Sequence, residues 1–156
     1  MKTKTVALVM AMFVVSVGLL AQQDPAIGTW KLNLAKSKYS PGPAPKAATI
    51  KVEQYGKSGS TVTGDGVNAQ GAPIHVEWSV EPDGKDYPVK GSQTSDTLSE
   101  KRIDPNTVEA TFKKGGKAMT TSRAIVSKDG KTMTVRTTGT DAQGQRVNNV
   151  AVYEKQ

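Results

Sequence analysis

The sequence predicts an all-β domain: a meander of about eight to ten antiparallel strands closed into an up-and-down barrel. Three observations predict it. Apolar residues alternate with a period of two through most of the chain beyond residue 21, and nowhere there recur at helical spacing. The segments between the alternating runs are short and carry turn chemistry. Only one long irregular stretch exists, Ala35–Ala47, whereas a Greek-key sandwich needs a long crossover. A closed barrel also removes the two sheet edges that an open meander leaves unpaired. The sandwich stands as the alternative.

The individual strands read in order. Gly28–Leu34, Ala48–Tyr55 and Ser60–Val67 come first. "PIHVEWSV" follows, with Ile74, Val76, Trp78 and Val80 on one face and His75, Glu77 and Ser79 on the other. Thr94–Ile103 precedes "TVEATFK", which separates Val108, Ala110 and Phe112 from Thr107, Glu109, Thr111 and Lys113. Ala118–Ser127, "TMTVRTT" and Arg146–Glu154 complete the set. Thr, Val and Ile dominate these runs, as a pleated surface buried on one side prefers. "NAQG" (Asn68–Gly71) and "DAQG" (Asp141–Gly144) share a design, Asn or Asp first and Gly fourth. That pattern predicts a type I turn closed by a glycine at positive φ. "EPDGK" and "SKDGK" place Asp-Gly at two further bends.

The first 21 residues read as a secretory signal. Lys2 and Lys4 form a basic start, Val6–Leu20 is apolar and uncharged, and Ala21 offers a small residue for cleavage. The apolar run is shorter than the ~20 residues of a membrane span and lacks a basic flank after it. The expectation is a secreted or periplasmic protein whose mature part, residues 22–156, is one domain without a membrane span. Without any cysteine, that domain must rely on its own core rather than on disulfides.

Charge and composition narrow the function. Removing Lys2 and Lys4 takes the formal charge from +7 to +5. The remaining basic residues are scattered, and "KKGGK" and "SEKR" have no neighbouring aromatics on which bases would stack. Nucleic acid is not an expected partner, and the chain is expected to be a monomer. His75 is the sole histidine and alternates out of phase with Ile74, Val76 and Trp78, which places it on the outer face. One histidine and no cysteine exclude the usual zinc sets. Asp65, Asp83, Asp86 and Asp129 sit in turns without the ladder of a calcium loop. Neither a nucleophile elbow nor a triad is present, so no catalytic residue, metal or cofactor is assigned.

Gly28-Thr29-Trp30 on the first strand, ahead of a meander of hairpins, resembles the lipocalin and fatty-acid-binding (calycin) barrels. The resemblance implies that Trp30 packs across a closed barrel end, with Gly28 beside it, under an arginine from a late strand. "NNVAVYEKQ" is similar to the closing strand of the fatty-acid-binding branch. The departures are specific. Pro41, Pro43 and Pro45 occupy the place of that branch's helical lid and exclude a helix there. Its Arg-x-Tyr carboxylate clamp survives only as Tyr153, because Ala151 stands in the arginine place. The lipocalin Thr-Asp-Tyr motif is also missing, since Ala142 follows Thr140-Asp141. "GTWKLNLAKSKYSPGPAP" and "VSKDGKTMTV" further resemble a group of small secreted bacterial lipocalin-like proteins to which no activity is attached.

The expected function is binding of an apolar or amphipathic small molecule inside the barrel. Candidate ligand-binding residues are Trp78, Ile74 and Val76 on the best-patterned strand, Tyr153 near the end, and Arg123. In "AMTTSRAIV" Arg123 shares its parity with Met119 and Ile125, which turns it inward if that face is the inner one. An inward Arg123 would need the Trp30 ring, a carboxylate such as Glu100, or an anionic ligand. The residues equally allow Ala118, Ser122, Ala124 and Val126 to face in. The alternative function is a non-catalytic structural or interaction module of the bacterial envelope. An interior cavity of ~300 Å³ or more separates the two, because a packed interior leaves no room for a ligand.

Overall fold

Period-two alternation becomes ten strands in the computed structural model, which describes residues 23–156. The apolar leader over residues 1–21 lies outside the described residues. The strands are β1 Gly28–Leu32, β2 Ala47–Tyr55, β3 Gly59–Val67, β4 Pro73–Val80 and β5 Tyr87–Lys90. They continue with β6 Thr97–Asp104, β7 Thr107–Lys114, β8 Lys117–Val126, β9 Thr132–Thr140 and β10 Arg146–Lys155. Each pairs antiparallel with its sequence neighbours, and β1 also pairs with β10, which closes the barrel. The sandwich alternative is therefore ruled out. Among the described residues, no helix is long and apolar enough to cross a membrane.

The turns take the form their residues predict. Gly71 N–H donates to the Asn68 carbonyl at 3.1 Å, and Gly144 N–H to the Asp141 carbonyl at 3.1 Å. Both glycines have positive φ, +94° and +80°. In each loop the first side chain fixes the bend by accepting two backbone N–H bonds, from Gln70 and Ala72 to Asn68 and from Gln143 and Gln145 to Asp141. These local bonds specify the register of the β3–β4 and β9–β10 hairpins.

Strand β5 is not foreseen by the alternation pattern. It is four residues long and includes Pro88, which has no N–H to give. Its ladder consists of Glu77↔Lys90 and Trp78↔Val89 on one side, and Tyr87↔Leu98 and Pro88↔Thr97 on the other. This is the thinnest part of the wall.

The proline-rich stretch, expected as one long irregular segment, is tied into the wall. One turn of 3-10 helix, Leu34–Lys36, carries the chain outward from β1. Lys38 then pairs with Val150, and Ser40 accepts a bond from Asn148 N–H. The stretch thus prolongs the β1 side of the β10 ladder and fills the wall above the short β1. Tyr39 pins it, because its ring packs against the core.

Side chains fill the barrel unevenly. Trp30, Leu32, Val52, Val62, Val126, Met133, Ala151 and Tyr153 form one cluster. It lies toward the end that holds the β2–β3, β6–β7 and β8–β9 turns, here the base. The upper half, toward the β3–β4, β5–β6, β7–β8 and β9–β10 turns, carries few bulky side chains.

Candidate functional site: two interior cavities in series

The base is built around Trp30, which is fully buried and donates its indole N–H to the Ala26 carbonyl at 2.8 Å. The ammonium of Lys155, on the last strand, lies 5.0 Å from the Trp30 ring centroid. Cation and ring face attract one another there. A Cβ on Gly28 would meet the Lys155 Cε at 2.7 Å, and Gly28 itself has a φ of +138°. Glycine therefore precedes the tryptophan so that the covering lysine can pass. The resemblance implied an arginine in this role; a lysine performs it.

Above the core the interior is open and divided. The rings of Trp78 and Phe112 meet edge to face, with centroids 5.6 Å apart and planes at 86°. This pair, together with Ser122, borders both a lower cavity of about 210 Å³ and an upper one of about 370 Å³. The upper cavity is lined by Val76, Val89, Met119 and Val147 and reaches Thr140 and Asp141 at the rim. Its wall includes the thin β5 segment and the following loop. The lower cavity lies against Ile50, Val52, Val62, Ala124, Met133 and Val135 and is strongly apolar. A wider depression of about 670 Å³ lies outside the base, among Lys57, Ser58, Asn106 and Lys128; it belongs to the polar surface, not to the interior.

The most deeply buried charged group in the lining of the lower cavity is Glu100. Glu100 on β6 is 6% exposed and borders that cavity. Burial pushes its carboxyl up to about 7, Arg102 draws it back, and Asp24 adds to the rise. Arg102 and Asp24 pair with each other at the cavity floor. Elsewhere the interior polar atoms satisfy one another, as in the Ser122–Thr137 hydroxyl contact at 2.8 Å.

The candidate residues separate into three places. Trp78 borders both cavities, and Val76 lines the upper one. Ile74 shares their face but sits at the rim, 36% exposed and outside the cavity lining. Tyr153 packs in the base cluster, where burial raises its hydroxyl, and lines neither cavity. Arg123 is corrected: it lies on the outer face and pairs with Glu109 across the β7–β8 ladder at 2.6 Å. Its neighbours Ser122 and Ala124 face inward instead. An outward Arg123 stays hydrated and costs nothing to bury, which is why this parity prevails. His75 is on the outer face as expected, 2.7 Å from Asp65, whose carboxylate raises the imidazole.

No family model matches the chain, and no curated protein matches it. Among solved structures, the fluorescent protein UnaG superposes with a TM-score of 0.54 at 17% identity, covering 84% of this chain and 97% of its own. The zebrafish ileal bile acid-binding protein, complexed with cholic acid, gives 0.53 at 15% identity, with 85% and 99% covered. The chain shares the closed β-barrel fold of these structures. At such identity the likeness concerns the fold alone, and it agrees with the resemblance carried by Gly28-Thr29-Trp30.

Two features of the site escaped sequence reasoning. Phe112 shares a face with Val108 and Ala110, but nothing local shows that it meets Trp78 from across the barrel. Glu100 follows Leu98 at strand spacing, and that parity with a fully buried leucine is the one signal that could have turned it inward.

Proposed function

We propose that this chain is an exported, non-catalytic binding protein that holds a small apolar or amphipathic molecule within its barrel. One observation carries the reading: two apolar cavities in series, the upper of about 370 Å³, share Trp78 and Phe112 as their partition. That volume lies in the range of small-molecule sites. Support also comes from a solved barrel of the same fold that is a bile acid-binding protein with cholic acid bound. The basic start and apolar run of residues 1–21 support export to the periplasm or medium, with cleavage at or near Ala21. The upper cavity serves as the way in, because the thin β5 wall and its loop border it.

A neutral fluorescent probe, phenylnaphthylamine, tests this reading. Its emission rises on transfer from water to the cavity, and decanol displaces it. Absence of any probe or decanol uptake would contradict the proposal and favour the packed structural module.

A further inference from the structure

Glu100 is the most unusual interior group. It is 6% exposed, it lines a cavity that is otherwise nearly all hydrocarbon, and its carboxyl oxygens, open to that cavity, accept no hydrogen bond among the described residues. Buried carboxylates ordinarily answer to a cation or to several donors. The nearby cation, Arg102, is engaged by Asp24 and reaches the Pro105 carbonyl with its other nitrogen. The charged groups around Glu100 are therefore Arg102 on its own strand and Asp24 from the N-terminal turn, and these two cancel. The remaining polar lining consists of the Ser60 and Ser122 hydroxyls. When Glu100 is ionised, the cavity lacks one positive charge.

Resting on the reading that the barrel binds a small molecule, we propose that Glu100 anchors the head group of an apolar amine, taken up as its cation into the lower cavity. The ammonium supplies the missing charge and donates to the carboxylate, while its hydrocarbon part lies against Ile50, Val62, Ala124 and Val135. Charge-assisted bonds of this kind strengthen where water is excluded. An acid of the same size meets two carboxylates, Glu100 and Asp24, and no free cation, so it is rejected. Selection thus runs opposite to that of a barrel that clamps acids.

The site also predicts a proton linkage. With no ligand, Glu100 is half protonated near pH 7, whereas the amine requires the carboxylate. Affinity then follows the ionised fraction and tightens about tenfold from pH 6 to pH 8. Binding below pH 7 releases a proton.

Isothermal titration with n-hexylamine, n-hexanol and hexanoate at pH 6 and pH 8 tests this on the purified protein. The expected order is amine over alcohol over acid, with the amine alone gaining about tenfold at the higher pH. Glu100→Gln removes the charge at constant shape and brings the amine down to the alcohol. Should that variant fail to fold, the pH series on the unaltered protein still decides. Equal binding of amine and alcohol, or an amine preference that survives Glu100→Gln, overturns the role of Glu100 while leaving the barrel a binder. Failure of all three, together with failure of phenylnaphthylamine, removes the binding reading itself.

Discussion

Trp78 and Phe112 meet edge to face across the barrel, 5.6 Å between centroids, and divide the interior into an upper and a lower cavity. They come from strands not adjacent in the sheet, β4 and β7, so the contact spans the lumen rather than the wall. Replacing Phe112 with Ala merges the cavities. The expected cost is about 3–4 kcal/mol, read as a lowered urea midpoint. The same variant gains affinity for ligands too long for either cavity alone. An unchanged size preference would mean that the pair does not act as a partition.

Gly28, Trp30 and Lys155 form the base. Gly28→Ala forces a side chain into a φ of +138° and against Lys155 Cε, so a loss of about 1–3 kcal/mol is expected. Lys155→Met removes the cation over the ring together with its exposed bond to the Pro25 carbonyl, a loss of about 0.5–1 kcal/mol. Thermal or urea unfolding should rank Gly28→Ala as the worse of the two. The reverse order would place the importance of this motif in the charge rather than in the backbone.

Glu100 makes stability depend on pH in a defined window. Its carboxyl is raised in the folded protein from 4.5 to about 7. A group raised in this way contributes fully below pH 4.5, and that contribution is lost as the pH climbs to about 7. The loss amounts to about 3 kcal/mol at ~1.4 kcal/mol per tenfold change. Urea unfolding between pH 4 and pH 8 should show this decline in the parent and not in Glu100→Gln. Parallel pH profiles would show that the carboxyl is hydrated in the folded state.

Arg123→Met should leave ligand preference unchanged and shift stability by roughly 0.5 kcal/mol or less, because its pair with Glu109 is on the solvent side. A change in charge preference among ligands would place its guanidinium near the cavity after all.

Strand β5 should exchange its amide hydrogens faster than β2 or β9, since two residue pairs hold it on each side. Bound ligand should slow that exchange where Val89 lines the upper cavity. Equal protection of β5 and β9 would argue against this wall as the way in.

The barrel was legible because its information is local. Alternation at Ile74–Val80 and the Asn68 and Asp141 turns assign faces and reversals without any knowledge of distant residues. β5 was not legible, since Pro88 and a length of four residues erase the alternation. Arg123 shows the limit of parity: "AMTTSRAIV" supports either face, and only the cross-strand partner Glu109 decides. Tyr153 was singled out through a matching strand end, yet its depth in the base depends on where β10 crosses β1. The Trp78–Phe112 partition and the isolation of Glu100 are likewise set by barrel closure, which no single strand encodes.

Binding within the upper half of the barrel is the central claim, and nuclear magnetic resonance of the labelled protein titrated with decanol tests it most directly. The account predicts saturable shifts at Val76, Trp78, Val89, Phe112 and Met119, with His75 and Arg123 on the outer face unmoved. Shifts confined to the outer face, or no saturable shift at the Trp78 indole, would contradict it.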